Sequence, residues 1–129
     1  MIIALIHWRI KPDEASIAEF LKFWREQATI GDRTGLIGEF LSEAAKLTDY
    51  PYITWHLDQD HLGNFKSFVN VGFWNDERAF YEQVAKNFND DRPMLPFEAY
   101  RRRRAIIKPE SWRIGKSNLP SQDHPSNVK

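Results

Sequence analysis

The run Phe68-Val69-Asn70-Val71-Gly72-Phe73-Trp74, broken by Asn75-Asp76-Glu77 and followed by Arg78-Ala79-Phe80-Tyr81, constrains this chain most. Up to Trp74 it has the pattern of a buried strand; from Asn75 it has that of a capped helix. Strand side chains alternate faces, so Asn70, Gly72 and Trp74 share one face while Val69, Val71 and Phe73 share the other. One face is uniformly apolar. The other carries an amide, a gap and an indole in a row. A buried amide must find a hydrogen-bond partner or cost free energy, and this one sits where a pocket wall would.

The remaining elements fall around that strand. Ile2 to Ile10 is strand-like and Lys11-Pro12 stops it. Asp13 can cap a helix carrying Ile17, Phe20, Leu21, Trp24 and Ala28 at helical spacing, with Gly31 expected to close it. Gly35 to about Ala45 predicts a second strand, interrupted by Glu39 and Glu43. Residues 46–64 form a long connection holding a short strand-like piece, Tyr52 to Leu57. Phe65 to Trp74 is the third strand. Asn75 or Asp76 then caps a second helix with Phe80, Val84 and Phe88 as its inner stripe. After Pro93 and Pro96, Arg101 to Lys108 predicts a fourth strand ended by Pro109. The order βαββαβ predicts an α+β, ferredoxin-like fold: a four-stranded antiparallel sheet with both helices on one face. Val69, Val71, Phe73, Ile3 and Leu5 then make the other face apolar too, which predicts a homodimer pairing sheet to sheet.

A chain of 129 residues suffices for one domain. Residues 1–110 are expected to form it, with 111–129, rich in Ser, Pro, Asn and Gln, as an extension that is flexible or packed on the partner subunit. The 18 basic and 18 acidic residues balance to a formal net charge of zero, which argues against a general nucleic-acid binder. Without cysteine there is no disulfide, thiolate metal site or thiol nucleophile. The apolar start Met1–Ile6 is short and runs into His7-Trp8-Arg9, the pattern of a strand rather than of a signal peptide or membrane span; a cytoplasmic protein is expected. Five Trp and nine Phe suit a bulky core or a planar ligand.

Over residues 2–108 the chain resembles the antibiotic-biosynthesis-monooxygenase family of the dimeric α/β-barrel superfamily. The resemblance rests on Ile3-Ala4-Leu5-Ile6-His7-Trp8-Arg9-Ile10-Lys11-Pro12, on Phe20 and Trp24, and above all on Phe68 to Asp76 with Ala79-Phe80. It implies a dimeric α/β barrel. In quinone-forming members an Asn and a Trp four positions apart on the third strand act on an aromatic polyketide, and Asn70 and Trp74 match that spacing. Heme-degrading members use a strand-one Asn, the strand-three Trp and a second-helix His. Here the position before Arg9 is Trp8, Glu77 to Phe88 contains no His, and only Trp74 is matched. Lys66 to Phe73 also faintly echoes the third strand of RNA-recognition modules, but the stacking aromatics are not where bases need them.

The resemblance therefore implies a cofactor-independent monooxygenase acting on a small aromatic substrate, with Asn70 and Trp74 catalytic. Gly72 would leave room beside them. Trp24, on the buried face of the first helix, is expected in the core or as the floor of the same cavity. Alternation sends Arg102 and Arg104 to one face, where either can hold an anion, and Arg101 and Arg103 to the other. His7 falls on the dimer face, where a hydrogen-bonded interface histidine is expected. His56, His61 and His124 lie in the connection and the tail, and the four His lack metal-ligand spacing. The competing expectation is a non-catalytic dimeric ligand-binding or scaffold protein, with Asn70 as a core amide bonded to backbone.

Overall fold

The computed structural model describes residues 1–43, 52 and 64–118. The expected strand at 52–57, apart from Tyr52, lies outside the described residues, as do His56, His61, His124 and residues 119–129. Strand β1 (Ile2–Ile10) leads to helix α1 (Glu14–Glu26) and strand β2 (Leu36–Glu43). Strand β3 (Lys66–Trp74), helix α2 (Glu77–Gln83), a 3-10 turn (Ala85–Asn87) and strand β4 (Glu98–Ile107) follow. The sheet is antiparallel throughout, in the order β2-β3-β1-β4. This α+β arrangement of four strands and two helices is compatible with a ferredoxin-like fold.

Alternation holds along the whole of β1 and along β3 from Phe68, with Ser67 just before it buried as well. Ile2, Ala4, Ile6, Trp8 and Ile10 are buried, as are Phe68, Asn70, Gly72 and Trp74 opposite them. The intervening Ile3, Leu5, Val69, Val71 and Phe73 are half-buried. Both helices press onto the first set. Ile17, Leu21, Phe23 and Trp24 from α1, and Ala79, Phe80 and Val84 from the α2 region, join one apolar core with it. Phe20, fully buried, has its ring 5.1 Å from both Trp8 and Phe68 and 5.6 Å from Phe97. Such tilted ring packing adds to the area term of burial.

The helix ends differ from expectation in instructive ways. Asp13 caps α1 as predicted: Ser16 donates to it through both its backbone N–H, at 2.9 Å, and its hydroxyl, at 2.8 Å. The helix stops at Gln27 rather than at Gly31: the N–H groups of Gln27 and Ala28 both donate to the Phe23 carbonyl and close the last turn. Asp76, not Asn75, caps α2 by accepting from Ala79 N–H. The Asn75 N–H is occupied by the Gly35 carbonyl, at 2.9 Å. A Cβ at Gly35 would stand 2.6 Å from the Ala79 Cβ, so only glycine lets the start of β2 approach α2 so closely. Helix α2 ends at Gln83, and Phe88 reaches the interior from beyond the 3-10 turn instead of from a continuous helical stripe. Strand β4 begins at Glu98, three residues before the expected start. The Lys11 N–H donates to the Phe97 carbonyl, and Ile10 pairs with Glu98.

One irregularity decides what lies under the helices. Leu36 pairs with Trp74, but Gly38 pairs with Phe73, so β2 carries one extra residue at Ile37. A one-residue bulge moves every later side chain to the opposite face. Glu39 and Leu41, opposite Gly72 and Asn70, are thereby turned toward the helices.

Candidate functional site

Between the sheet and the helices lies a cleft lined by Ile6, Trp8, Trp24, Glu39, Asn70 and Phe80. Gln83, Val84, Phe88, Arg102 and Arg104 complete most of its wall. It encloses about 500 Å³ of non-atom space counting its open mouth, while the room a water molecule can occupy inside is about 30 Å³. That inner room is far smaller than a pocket for a ring-sized ligand. A ring-sized ligand enters only when lining side chains move apart.

Asn70, 3% exposed, is held at both ends of its amide. The Trp24 indole Nε1 donates to its Oδ1 at 3.1 Å, and its Nδ2 donates to Glu39 Oε1 at 2.7 Å. Indole is a donor only, so this pair of bonds sets the amide's orientation. The partners come from three elements, α1, β3 and β2, and tie the helix to the sheet. Glu39 was read in the sequence only as an interruption of β2; the bulge makes it part of the wall. Burial pushes its carboxyl above the ordinary value of 4.5, opposed by the Asn70 hydrogen bond and the positive charge of Arg33.

The cationic wall comes from β4. Arg102 forms a two-point pair with Glu98 at 3.0 and 2.8 Å, with both side chains nearly out of solvent. Glu98 also accepts from Leu95 N–H at 2.8 Å. The Arg102 guanidinium lies 4.7 Å from the centre of the Trp8 ring, a cation–π contact. Arg104 donates to the Phe88 carbonyl and, at 3.0 Å, to Asp90, whose carboxyl it holds below the usual range. Trp8 Nε1 is buried without a hydrogen-bond partner among the described residues, an arrangement that costs about 1–3 kcal/mol unless a ligand or water accepts from it.

The structure thus brings Asn70, Trp24, Arg102 and Arg104 to one cleft, and places Trp74 and Gly72 outside its lining. Trp74, 1% exposed, packs against Phe80 at 5.8 Å. Its Nε1 lies 2.8 Å from where a Gly72 Cβ would be. The gap predicted beside Asn70 is filled by the indole two residues further on. Trp24 lines the cleft and packs against the core.

On the opposite face, His7 Nε2 lies 2.8 Å from Ser67 Oγ, and the His7 ring meets Phe65 edge-on at 6.1 Å. Arg101 turns away from the cleft and donates to the Arg92 carbonyl. Among the described residues no group of three or more His, Cys, Asp or Glu is placed to hold a metal ion, and no helix is long and apolar enough to cross a membrane. No protein-family model matches the chain, and no curated protein matches it.

Proposed function

We propose that this chain is a small cofactor-independent monooxygenase acting on an electron-rich hydroxyaromatic or polyketide-like substrate, resembling the antibiotic-biosynthesis-monooxygenase family. The observation that carries it is the cleft itself: apolar and aromatic walls on which two amides, one carboxylate and two guanidinium groups converge. In such a reaction the substrate is its own cofactor. As its anion it passes an electron to dioxygen; one oxygen atom then becomes the new carbonyl oxygen and the other leaves as water. The protein's part is to bind, to exclude water and to stabilise charge. Asn70 holds the substrate oxygen, Arg102 and Arg104 face its negative charge, and the unpaired Trp8 N–H supplies a further donor. Trp74 acts from behind, by packing that keeps Asn70's strand in place.

The proposal includes a homodimer. Ile3, Leu5, Val69, Val71 and Phe73 form a half-buried apolar face opposite the helices. Pairing two such faces closes a dimeric α/β barrel and should bury at least about 1,600 Å². The exposed Ile106, Ile107, Trp112 and Ile114 would add to the same association.

Oxygen uptake across a panel of quinols and anthrones tests the activity. Asn70→Ala should cut the rate ~10²–10³-fold through the lost hydrogen bond to developing charge. No uptake by the parent protein with any of these compounds refutes the enzyme. Val71→Asp should split or unfold the dimer, and sedimentation of the parent as a monomer at micromolar concentration refutes the pairing. A second reading, a dimeric ligand-binding scaffold without turnover, is favoured by the closed state of the polar groups. Both ends of the Asn70 amide and the Arg102 fork already have partners within the chain. Saturable binding of the same compounds without oxygen uptake identifies it.

A further inference from the structure

Anionic substrate requires a group that takes a proton, and the cleft narrows the choice sharply. Among the described residues lining it, only Glu39, Arg102 and Arg104 are ionisable. A guanidinium offers donors and no acceptor, so neither arginine serves as a base. His7 lies on the other face of the sheet, hydrogen-bonded to Ser67. Glu39 is left.

Its placement is specific. The bulge at Ile37 turns it inward, opposite Gly72 and beside Asn70. Asn70 engages Oε1 only, and no described side chain donates a hydrogen bond to Oε2. Glu39 also borders a second, more open cavity walled by Trp24, Arg25, Ala28, Thr29, Ile30 and Arg33. It therefore stands between the inner cleft and a route to solvent along which a proton can leave.

We propose that Glu39 is the general base of this cleft: its Oε2 removes the hydroxyl proton of a phenolic or enolic substrate, and the resulting oxyanion is held by Asn70 and faced by Arg102 and Arg104. The inference rests on the oxygenase reading and adds the residue that starts it. In the step the substrate O–H bond breaks, the proton forms a new O–H bond on Glu39, and the electron pair stays on the substrate oxygen. No oxidant is consumed until dioxygen arrives afterwards. The desolvation that raises the Glu39 pKa brings it nearer to that of a phenol and so makes it a stronger base than a solvated glutamate. The positive charge of Arg33 acts on it, and Arg25 lines the outer cavity with it as Arg102 and Arg104 line the inner one.

The test uses para-nitrophenol, whose anion is yellow and whose neutral form is colourless, at a pH below its own pKa. The parent protein should bind it as the coloured anion. Glu39→Gln keeps an oxygen for Asn70 to donate to, so the variant should fold and bind the colourless neutral form, read by quenching of Trp fluorescence. Glu39→Asp should restore part of the colour. With an active hydroxyaromatic, Glu39→Gln should lower kcat ~10²–10⁴-fold with little change in KM. The acid limb of the parent's pH profile should also disappear. Equal colour in parent and Glu39→Gln, or colourless binding by both, overturns Glu39 as the base and leaves the ligand site standing. Absence of binding to either protein overturns the site and the base together.

Discussion

Replacing Gly72 by alanine puts a methyl group where the structure already has an indole. The added Cβ would lie 2.8 Å from Trp74 Nε1 and 3.3 Å from Trp74 Cδ1. Both are closer than an ordinary van der Waals contact, and the indole is no loose side-chain end. It is 1% exposed and packed edge-on against Phe80. Relief requires Trp74 to leave its position, pushing Phe80 and α2 outward. Overpacking of this kind costs about 1–3 kcal/mol, offset by about 0.4–1 kcal/mol because alanine has less backbone freedom to lose on folding. The net loss should be about 1–2 kcal/mol, a fall in Tm of roughly 3–8 °C for a domain of this size. Chemical denaturation of Gly72→Ala, Trp74→Phe and the double variant measures the coupling. Phenylalanine removes the atom in closest contact, so the double variant should be more stable than the sum of the two single losses, by about 1 kcal/mol. A Gly72→Ala protein as stable as the parent, or strictly additive losses, would refute the account of Trp74 as the group that fills the gap.

Glu98→Ala should cost about 3–5 kcal/mol in equilibrium unfolding, because it strands the buried Arg102 guanidinium and frees Leu95 N–H; a loss below about 1 kcal/mol would show the pair to be solvated. For Glu39, burial raises the folded-state pKa above 4.5, so the folded chain holds the proton more tightly than the unfolded one. Stability should then fall as pH rises from about 4.5 through the folded-state value, and urea midpoints of Glu39→Gln should lack that fall; parallel pH curves for the two proteins would contradict it. Asn70→Ala should remove about 1–3 kcal/mol by orphaning Trp24 Nε1 and Glu39 Oε1, which thermal unfolding checks against Asn70→Asp, a variant that keeps the acceptor for Trp24 but sets two carboxyl groups together.

Period-two alternation on β1 and β3 was legible from the residues alone, because both strands run unbroken and every inward position from Ile2 to Ile10 and from Phe68 to Trp74 is buried in turn. So were the Asp13 cap, the position of α2 after Trp74, the βαββαβ order, and the separation of Arg102 and Arg104 from Arg101. Those features depend on neighbours within a few residues. The start of β4 was not legible, since the distant Lys11 N–H bonds the Phe97 carbonyl there; the ends of α1 and of α2 were not legible either, although the bonds that close them, from Gln27 and Ala28 to Phe23 and from Val84 to Phe80, are local. The wall of the cleft divides in the same way. Spacing put Asn70 on the face opposite Val69 and Val71, Trp24 on the inner face of its helix, and Arg102 and Arg104 on a shared face, whereas it could not turn Glu39 inward, because counting along β2 gives no sign of the extra residue at Ile37. Gly72 and Trp74 share a face, as alternation requires, yet only packing in three dimensions swings the indole over the glycine. Sequence determines which face a residue takes while a strand stays regular; where the ladder slips by one residue, or a side chain must choose among rotamers, the choice belongs to the contacts made across the fold.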